Sequence, residues 1–485
     1  MPRTTISGCV FPAFFLTAFL ASAADAQHVP QPPEGAKPYS APVRPGDGAN
    51  MTLTVEKLKS GFDPPRPLVI WAIGSSFTNG LGNGDRLKAL IRERFPEAPE
   101  IVYRKQAGCS TSYHFCRGWA QHLVIPDQPD VVLLYNFGKA EELEKLIVEL
   151  RRRTTADILV GTLHWCQPHT EQWPNPDITC SHQDIAAMRT MCQRYSVELV
   201  ENRRELTEYM VANDLTIDDM LGDAVHETRF AADCTVQNIA RHFHASEHGR
   251  EKTDSRERRV EVASDAVKLE GDWTAAADGT ARQATSGTLT LEFVGNRIEL
   301  IGHAVAGGGT AKVFIDGVPA DRLPVFYVSY VQPGKDNALH PPMPPRDRGP
   351  HRVDLGPMEK IVPQQWTITM TSDRGDYQLV GSVTGDDGTG NAFEPLTSTS
   401  GQIFIDPAFW RAANTNRTGD TFTFEVYRPT TAEINFTLPS GEQPGKFRLA
   451  LAENLANGTH VLKLIAAGDG PVVVEALDVF EPALR

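Results

Sequence analysis

The spacing of apolar positions changes twice along the chain. Between residues 66 and 245, short continuous apolar runs alternate with segments in which apolar residues recur every three or four positions. "LVIWAI" (68–73), "EIVYRK" (100–105), "VVLLY" (131–135) and "DILVGT" (157–162) predict strands. A helix is predicted near 85–95, where Leu87, Leu90, Ile91 and Phe95 share a face. Others are predicted over 140–153, with Leu143, Leu146, Ile147 and Leu150 in register, and over 183–195. Continuous apolar strands alternating with amphipathic helices imply a parallel sheet covered on both faces, hence an α/β domain over 66–245.

After a charged linker at 246–259, the period falls to two. "TLTLEF" (288–293), a "GN" turn, "RIELIG" (297–302), "AKVFIDG" (311–317) and the run 460–480 predict antiparallel strands of a β-sandwich spanning 260–485. The proline-rich stretch 332–351 interrupts it, and a further β unit is expected as an insert at about 340–440. Trp273, Tyr327, Tyr330, Trp366 and Trp410 in this region are read as core residues before sugar-stacking ones. The Gly-rich stretch 381–391 reads as a solvated turn before a calcium loop.

The N-terminus changes the picture of where the chain works. Arg3, the apolar core 10–20 and the small residues at 21–27 read as a signal peptide over 1–26, cut after Ala26 or, second, after Ala23. The apolar core is too short to span a bilayer, so a periplasmic or secreted location without a membrane span is expected. Residues 27–65, dense in proline, are expected to be an extended linker. In 485 residues the formal net charge is −14, which argues against nucleic acid or anionic lipid as partner. Six cysteines (Cys109, Cys116, Cys166, Cys180, Cys192 and Cys234) follow the signal. In an oxidising space that even number suggests up to three disulfides, with Cys192 and Cys234 within packing reach.

Candidate chemistry collects at the carboxyl ends of the predicted strands, where open α/β sheets bind ligands. Ser76 follows the first strand in "GSS" (74–76), and "DAVH" (223–226) places Asp223 three residues before His226. A serine hydroxyl needs a base to take its proton, and the base needs an acceptor to fix its tautomer. Gly108 in "AGCS" (107–110) is small enough to bring its N–H to a developing oxyanion. Each residue alone has a plainer reading: a turn serine, a helix cap with a surface histidine, a glycine ending a strand. His164, Cys166, His169, Cys180 and His182 crowd one segment, but a disulfide-braced loop is the better reading than zinc, with His164 or His169 facing the pocket. His242, His244 and His248 read as a solvated helix end.

Taken together, "GSS", "AGCS" and "DAVH", in this order and strand–loop context, resemble the blocks of the SGNH (GDSL-type) hydrolase family over residues 66–245. The resemblance implies a flavodoxin-like three-layer α/β/α domain, here followed by a β-sandwich (jelly-roll-like) region. It also implies ester hydrolysis through an acyl-serine, with catalytic Ser76, Asp223 and His226. Ser76, Gly108 and Asn136 are the oxyanion candidates. "AGCS" and "FG" (137–138) are similar to rhamnogalacturonan acetylesterases, which implies an acetylated carbohydrate as substrate and neither metal nor other cofactor. Two positions depart from the family: Ser75 replaces an aspartate, and Ala140 stands where the Gly-x-Asn-Asp block would place its asparagine if Gly138 is its glycine. Asn136 is then either the third oxyanion donor or a structural residue at a strand end. The rival readings are a lipid or arylester hydrolase of the same fold and a non-catalytic polysaccharide-binding or adhesion protein.

Overall fold

The computed structural model describes residues 29–107, 118–135, 138–167, 173–178, 184–247, 255–276, 279–330, 349–410 and 413–485. The expected signal peptide, Gly108, Asn136, His169, His182, His248, Cys109, Cys116 and Cys180 lie outside them.

Five strands form a parallel sheet: β1 (Leu68–Gly74), β2 (Ile101–Ala107), β3 (Val131–Tyr135), β4 (Asp157–Gly161) and β5 (Glu198–Val200). Their order is β2-β1-β3-β4-β5. The crossovers leaving β1 and β2 run in opposite directions along the sheet, which opens a crevice at the carboxyl ends of β1 and β3. Among the described residues, six helices of nine residues or more accompany the sheet: α1 (Thr52–Ser60), α2 (Asp85–Arg94), α3 (Ala140–Arg153), α4 (Ile185–Arg194), α5 (Asn202–Ala212) and α6 (Arg229–Arg241). Alternation along the strands sends Trp71, Ile73, Val132, Leu134, Ile158 and Val160 into a core with α3 and α4. Ile70, Ala72, Val131, Leu133 and Leu159 point the other way, into a core with α1, α2 and α6. The sheet is therefore buried on both faces, as its apolar strands require.

Several expectations are corrected here. Residues 29–65 are not an extended linker. Met51, Val55 and Leu58 of α1 and the residue before it are buried against the sheet. Gly48 and Asn50 donate backbone N–H groups to the buried Glu198 carboxylate at 2.7 and 2.9 Å, and Tyr39 packs edge-on to Tyr209. Proline fixes backbone angles but does not prevent such packing. His242 is not at a solvated helix end, because it is buried with Nδ1 at 2.6 Å from Glu198. Cys192 and Cys234 are buried in different apolar clusters, so they do not pair with each other. Burial pushes the Cys192 thiol up to about 12.

The linker expected over 246–259 ends early, since β6 (Arg256–Glu261) pairs with the strand Val472–Glu481. Two antiparallel sheets enclose an apolar core that includes Leu289, Leu300, Val313, Leu464 and Leu477. The strands Gly287–Gly295 and Arg297–Ala304 do not form a hairpin about Asn296. The first pairs with Gly458–Ala466 in one sheet and the second with Val472–Glu481 in the other. Buried Asn296 carries the chain across, its N–H donated to Phe480 O. The inserted unit runs from the strand Tyr327–Tyr330 to the strand Thr421–Tyr427, earlier at both ends than expected, because Glu433–Asn435 already pairs with Thr310–Ile315. Trp366 and Trp410 lie in its core. The stretch 381–391 is no solvated turn: Gly385–Asn391 is a strand paired with Asp376–Gly381.

These parts are joined by specific contacts. Tyr327 of the inserted unit sits in the same core as Trp119 and Val124 of the α/β region. Val353 N–H donates to Nε2 of buried His122 at 3.1 Å, so Nδ1 carries the proton and donates to Val328 O at 3.1 Å. Burial pushes His122 down to about 3, which keeps this tautomer neutral. Lys57 of α1 donates to Asp130 and to Glu257 of β6, each at 2.8 Å.

Candidate active site

β1 ends at Gly74 because no side chain fits there. A Cβ would lie 2.2 Å from Tyr135 O in the adjacent strand and 2.2 Å from Thr78 Oγ1. That hydroxyl donates to the same carbonyl at 2.5 Å and ties the turn after β1 to the end of β3. Ser75 continues in extended conformation, and Ser76 opens a short 3-10 helix, Ser76–Leu81. Ser75 is fully buried, and its Oγ has no hydrogen-bond partner among the described residues. Ser76 is partly exposed at the crevice mouth.

The second half of the site is a closed loop between a helical turn at Ile217–Met220 and α6. Leu221 and Glu227 bridge as antiparallel partners, Gly222 N–H donates to His226 O at 2.8 Å, and Thr228 N–H donates to Met220 O at 2.9 Å. The Thr228 side chain caps α6 by accepting from Ala231 N–H. At the loop tip, one Asp223 oxygen accepts from the N–H groups of Val225 and His226, both at 2.8 Å. These two bonds, and then the His226 side chain, hold the Asp223 carboxyl down to about 2. His226 Nδ1 lies 2.8 Å from Asp223 Oδ2, and His226 Nε2 lies 2.9 Å from Ser76 Oγ. An ionised carboxylate can only accept, so Nδ1 carries the proton and the bare Nε2 faces the serine hydroxyl.

Ser76, Asp223 and His226 thus converge as the sequence predicted, with a partly exposed imidazole and an exposed carboxylate. Of the oxyanion candidates, only Ser76 is among the described residues. Gly138 adopts φ +144, a backbone conformation that favours glycine. His164 does not face open crevice: it is buried beneath the loop. Sequence reasoning missed Phe77, whose ring meets both imidazoles edge-on, at 5.0 Å from His164 and 5.6 Å from His226. Its position next to Ser76 was the available signal. Among the described residues, no group of three or more His, Cys, Asp and Glu side chains is placed to hold a metal ion. No described helix is long and apolar enough to cross a membrane.

No family model matches this sequence, and no curated protein matches it. Among solved structures, the chain is similar to a two-domain esterase (CEX) active on acetylated mannans, co-crystallised with mannopentaose. The identity is 10%, with 90% of this chain and 96% of that chain covered and a TM-score of 0.31. It is also similar to Axe2, an acetylxylan esterase from Geobacillus stearothermophilus, at 16% identity, with 40% of this chain and all of that chain covered and a TM-score of 0.32. Scores at this level assign neither substrate nor mechanism to this chain, whose site stands on its own geometry.

Proposed function

We propose that the protein is an exported serine esterase of SGNH type that removes acetyl groups from a polysaccharide or oligosaccharide through an acyl-serine. The observation that carries this reading is the contact chain Ser76 Oγ, His226 Nε2, His226 Nδ1, Asp223 Oδ2, with both links within 2.9 Å. In the first step Ser76 Oγ attacks the acetyl carbonyl while its proton passes to His226 Nε2. The tetrahedral intermediate collapses, and the departing sugar oxygen takes that proton. Water then attacks the acetyl-serine, His226 again accepts a proton and returns it to Ser76 Oγ, and acetate leaves. Asp223 accepts from Nδ1–H throughout and stabilises the imidazolium formed in each half-reaction.

The side chains of His226 and Asp223 are 43% and 58% exposed. A catalytic pair this open to water suits an ester carried on a hydrated polymer better than a long acyl chain, which needs apolar cover. Acetate release from a panel of acetylated polysaccharides, with Ser76→Ala as control, tests the reading. Release by the native chain and none by the variant is expected. Equal release by both would remove Ser76 from the reaction.

A further inference from the structure

Beneath the catalytic loop lies a buried imidazole that the reaction above does not use. We propose that His164 is a positioning residue for His226, a role that rests on the esterase reading. His164 Nε2 lies 2.8 Å from Val225 O. A carbonyl can only accept, so Nε2 carries the proton and donates. In the neutral ring Nδ1 is then the acceptor, and it lies 2.8 Å from the Tyr135 hydroxyl, which donates to it. That hydroxyl in turn accepts from Asn202 Nδ2 at 3.2 Å, and Asn202 Oδ1 accepts from Asn238 Nδ2 at 2.8 Å. The remaining group facing Nδ1 is the Glu227 carboxylate at 3.5 Å, which accepts from Thr235 Oγ1 at 2.6 Å. The ring is therefore oriented by the sheet (Tyr135) and by α5 and α6, all outside the loop it holds.

What it holds is the peptide plane joining Val225 to His226. The oxygen of that plane accepts from His164, and its N–H donates to Asp223 at 2.8 Å. A plane fixed at both ends fixes the Cα–Cβ direction of His226, and so the approach of Nε2 to Ser76. Phe77 wedges between the two imidazoles and limits the remaining freedom. The consequence is specific to geometry during reaction, since His164 is too deep to meet a substrate.

Two substitutions separate the two bonds. In His164→Gln the amide nitrogen falls near the Nε2 position and keeps the donor to Val225 O while losing Tyr135. In His164→Asn the amide oxygen falls near Nδ1 and accepts from the Tyr135 hydroxyl, while the donor to Val225 O is lost. Each variant removes one buried hydrogen bond, so their losses of thermal stability are comparable. On 4-nitrophenyl acetate, His164→Asn is expected to lose about tenfold to a hundredfold in kcat with KM within about twofold, because a small misplacement of a reacting group costs on that order. His164→Gln is expected to stay within about threefold of native. Native kcat in His164→Asn, or equal losses in both variants, would overturn the proposal. If His164→Asn does not fold, His164→Ala decides: it removes both bonds, so a fall in kcat of about tenfold or more below His164→Gln at constant KM is expected, whereas kcat equal to that of His164→Gln overturns the proposal. Ser76→Ala run alongside keeps the readings apart: with that variant inactive, native kcat in His164→Asn sinks the positioning role alone, whereas an active Ser76→Ala sinks the site and the proposal with it.

Discussion

Replacing Gly74 by alanine tests whether the end of β1 sets the position of Ser76. The added methyl would lie 2.2 Å from Tyr135 O and 2.2 Å from Thr78 Oγ1, where ordinary contact begins at 3.4 Å. Thr78 can rotate away, but Tyr135 O belongs to the neighbouring strand and cannot. Relief therefore requires the ends of β1 and β3 to part by about 1 Å, and the Thr78–Tyr135 bond is lost with it. Overpacking of this kind costs about 1–3 kcal/mol and the hydrogen bond about 0.5–1.5 kcal/mol. Alanine recovers about 0.4–1 kcal/mol by restricting the unfolded chain. The net loss is about 2–3 kcal/mol, a fall in melting temperature of roughly 4–12 °C. Ser76 moves with the strand end, and a displacement near 1 Å is expected to lower kcat on 4-nitrophenyl acetate by about a hundredfold. Calorimetry and initial rates on the same preparation check both numbers. Thr78→Ala is the control: it removes the hydrogen bond without the push, so it should lose about 1 kcal/mol and keep kcat within a few-fold. Native melting temperature and native kcat in Gly74→Ala would refute the reasoning.

Ser75→Ala removes a buried hydroxyl that has no partner among the described residues, so unchanged kcat and an equal or slightly higher melting temperature are expected; a large loss of activity would give Ser75 a role in the site. Asp223→Asn keeps an oxygen for the Val225 and His226 N–H groups but offers Nδ1 a donor, which moves the His226 proton to Nε2. The loss in kcat is expected to be about a hundredfold or more, and larger than in Asp223→Ala, where water can accept from Nδ1–H; the reverse order would reject the tautomer assignment. Because the Asp223 carboxyl is held at about 2 against 3.8, its contribution to stability is present above about pH 4 and is lost as pH falls toward about 2, as a melting-temperature series should record. A chain shortened to end at residue 247 would lose Tyr327 from the α/β core, both backbone partners of His122, and the Glu257 carboxylate beside Lys57; low soluble yield and early melting are expected, and a stable, fully active fragment would refute the joint.

The parts of the molecule legible in sequence are those whose environment follows from local pattern. Helix α3 coincides with the predicted 140–153, and β3 with 131–135, because one buries a clean 3.6-period stripe and the other is apolar on both faces. The stripe of α1 is equally regular (Met51, Val55, Leu58), but the surrounding prolines disguised it. Helix α6 was hidden for another reason: its buried face carries Asp233, Thr235, Asn238 and Arg241, which bond to Arg86, Asn202 and Asp47 on other elements. Asn296 reads as a hairpin turn because sequence shows the turn and not the sheet each strand joins. At the candidate site, the meeting of Ser76, Asp223 and His226 was legible from residue type, spacing and position after a strand. The orientation of His164 depends on Tyr135, Val225 and Asn202, which are distant in sequence and meet only through the sheet order.

The placement of Tyr327 bears on the order in which the chain acquires its structure. Domains made from one continuous segment generally fold as they emerge, N-terminal first, at about 5–20 residues per second. Here the core beneath α3 and α4 is completed by a ring that emerges after Val197, the last of the earlier buried members of that core, an interval on the order of ten seconds at that rate. Until then the apolar face around Trp119, Val124 and Ile125 has no cover from the later segment. The α/β region is therefore held back from its final packing by the β region that follows it. A chain built this way relies on its own C-terminal half to close the core of the segment made before it.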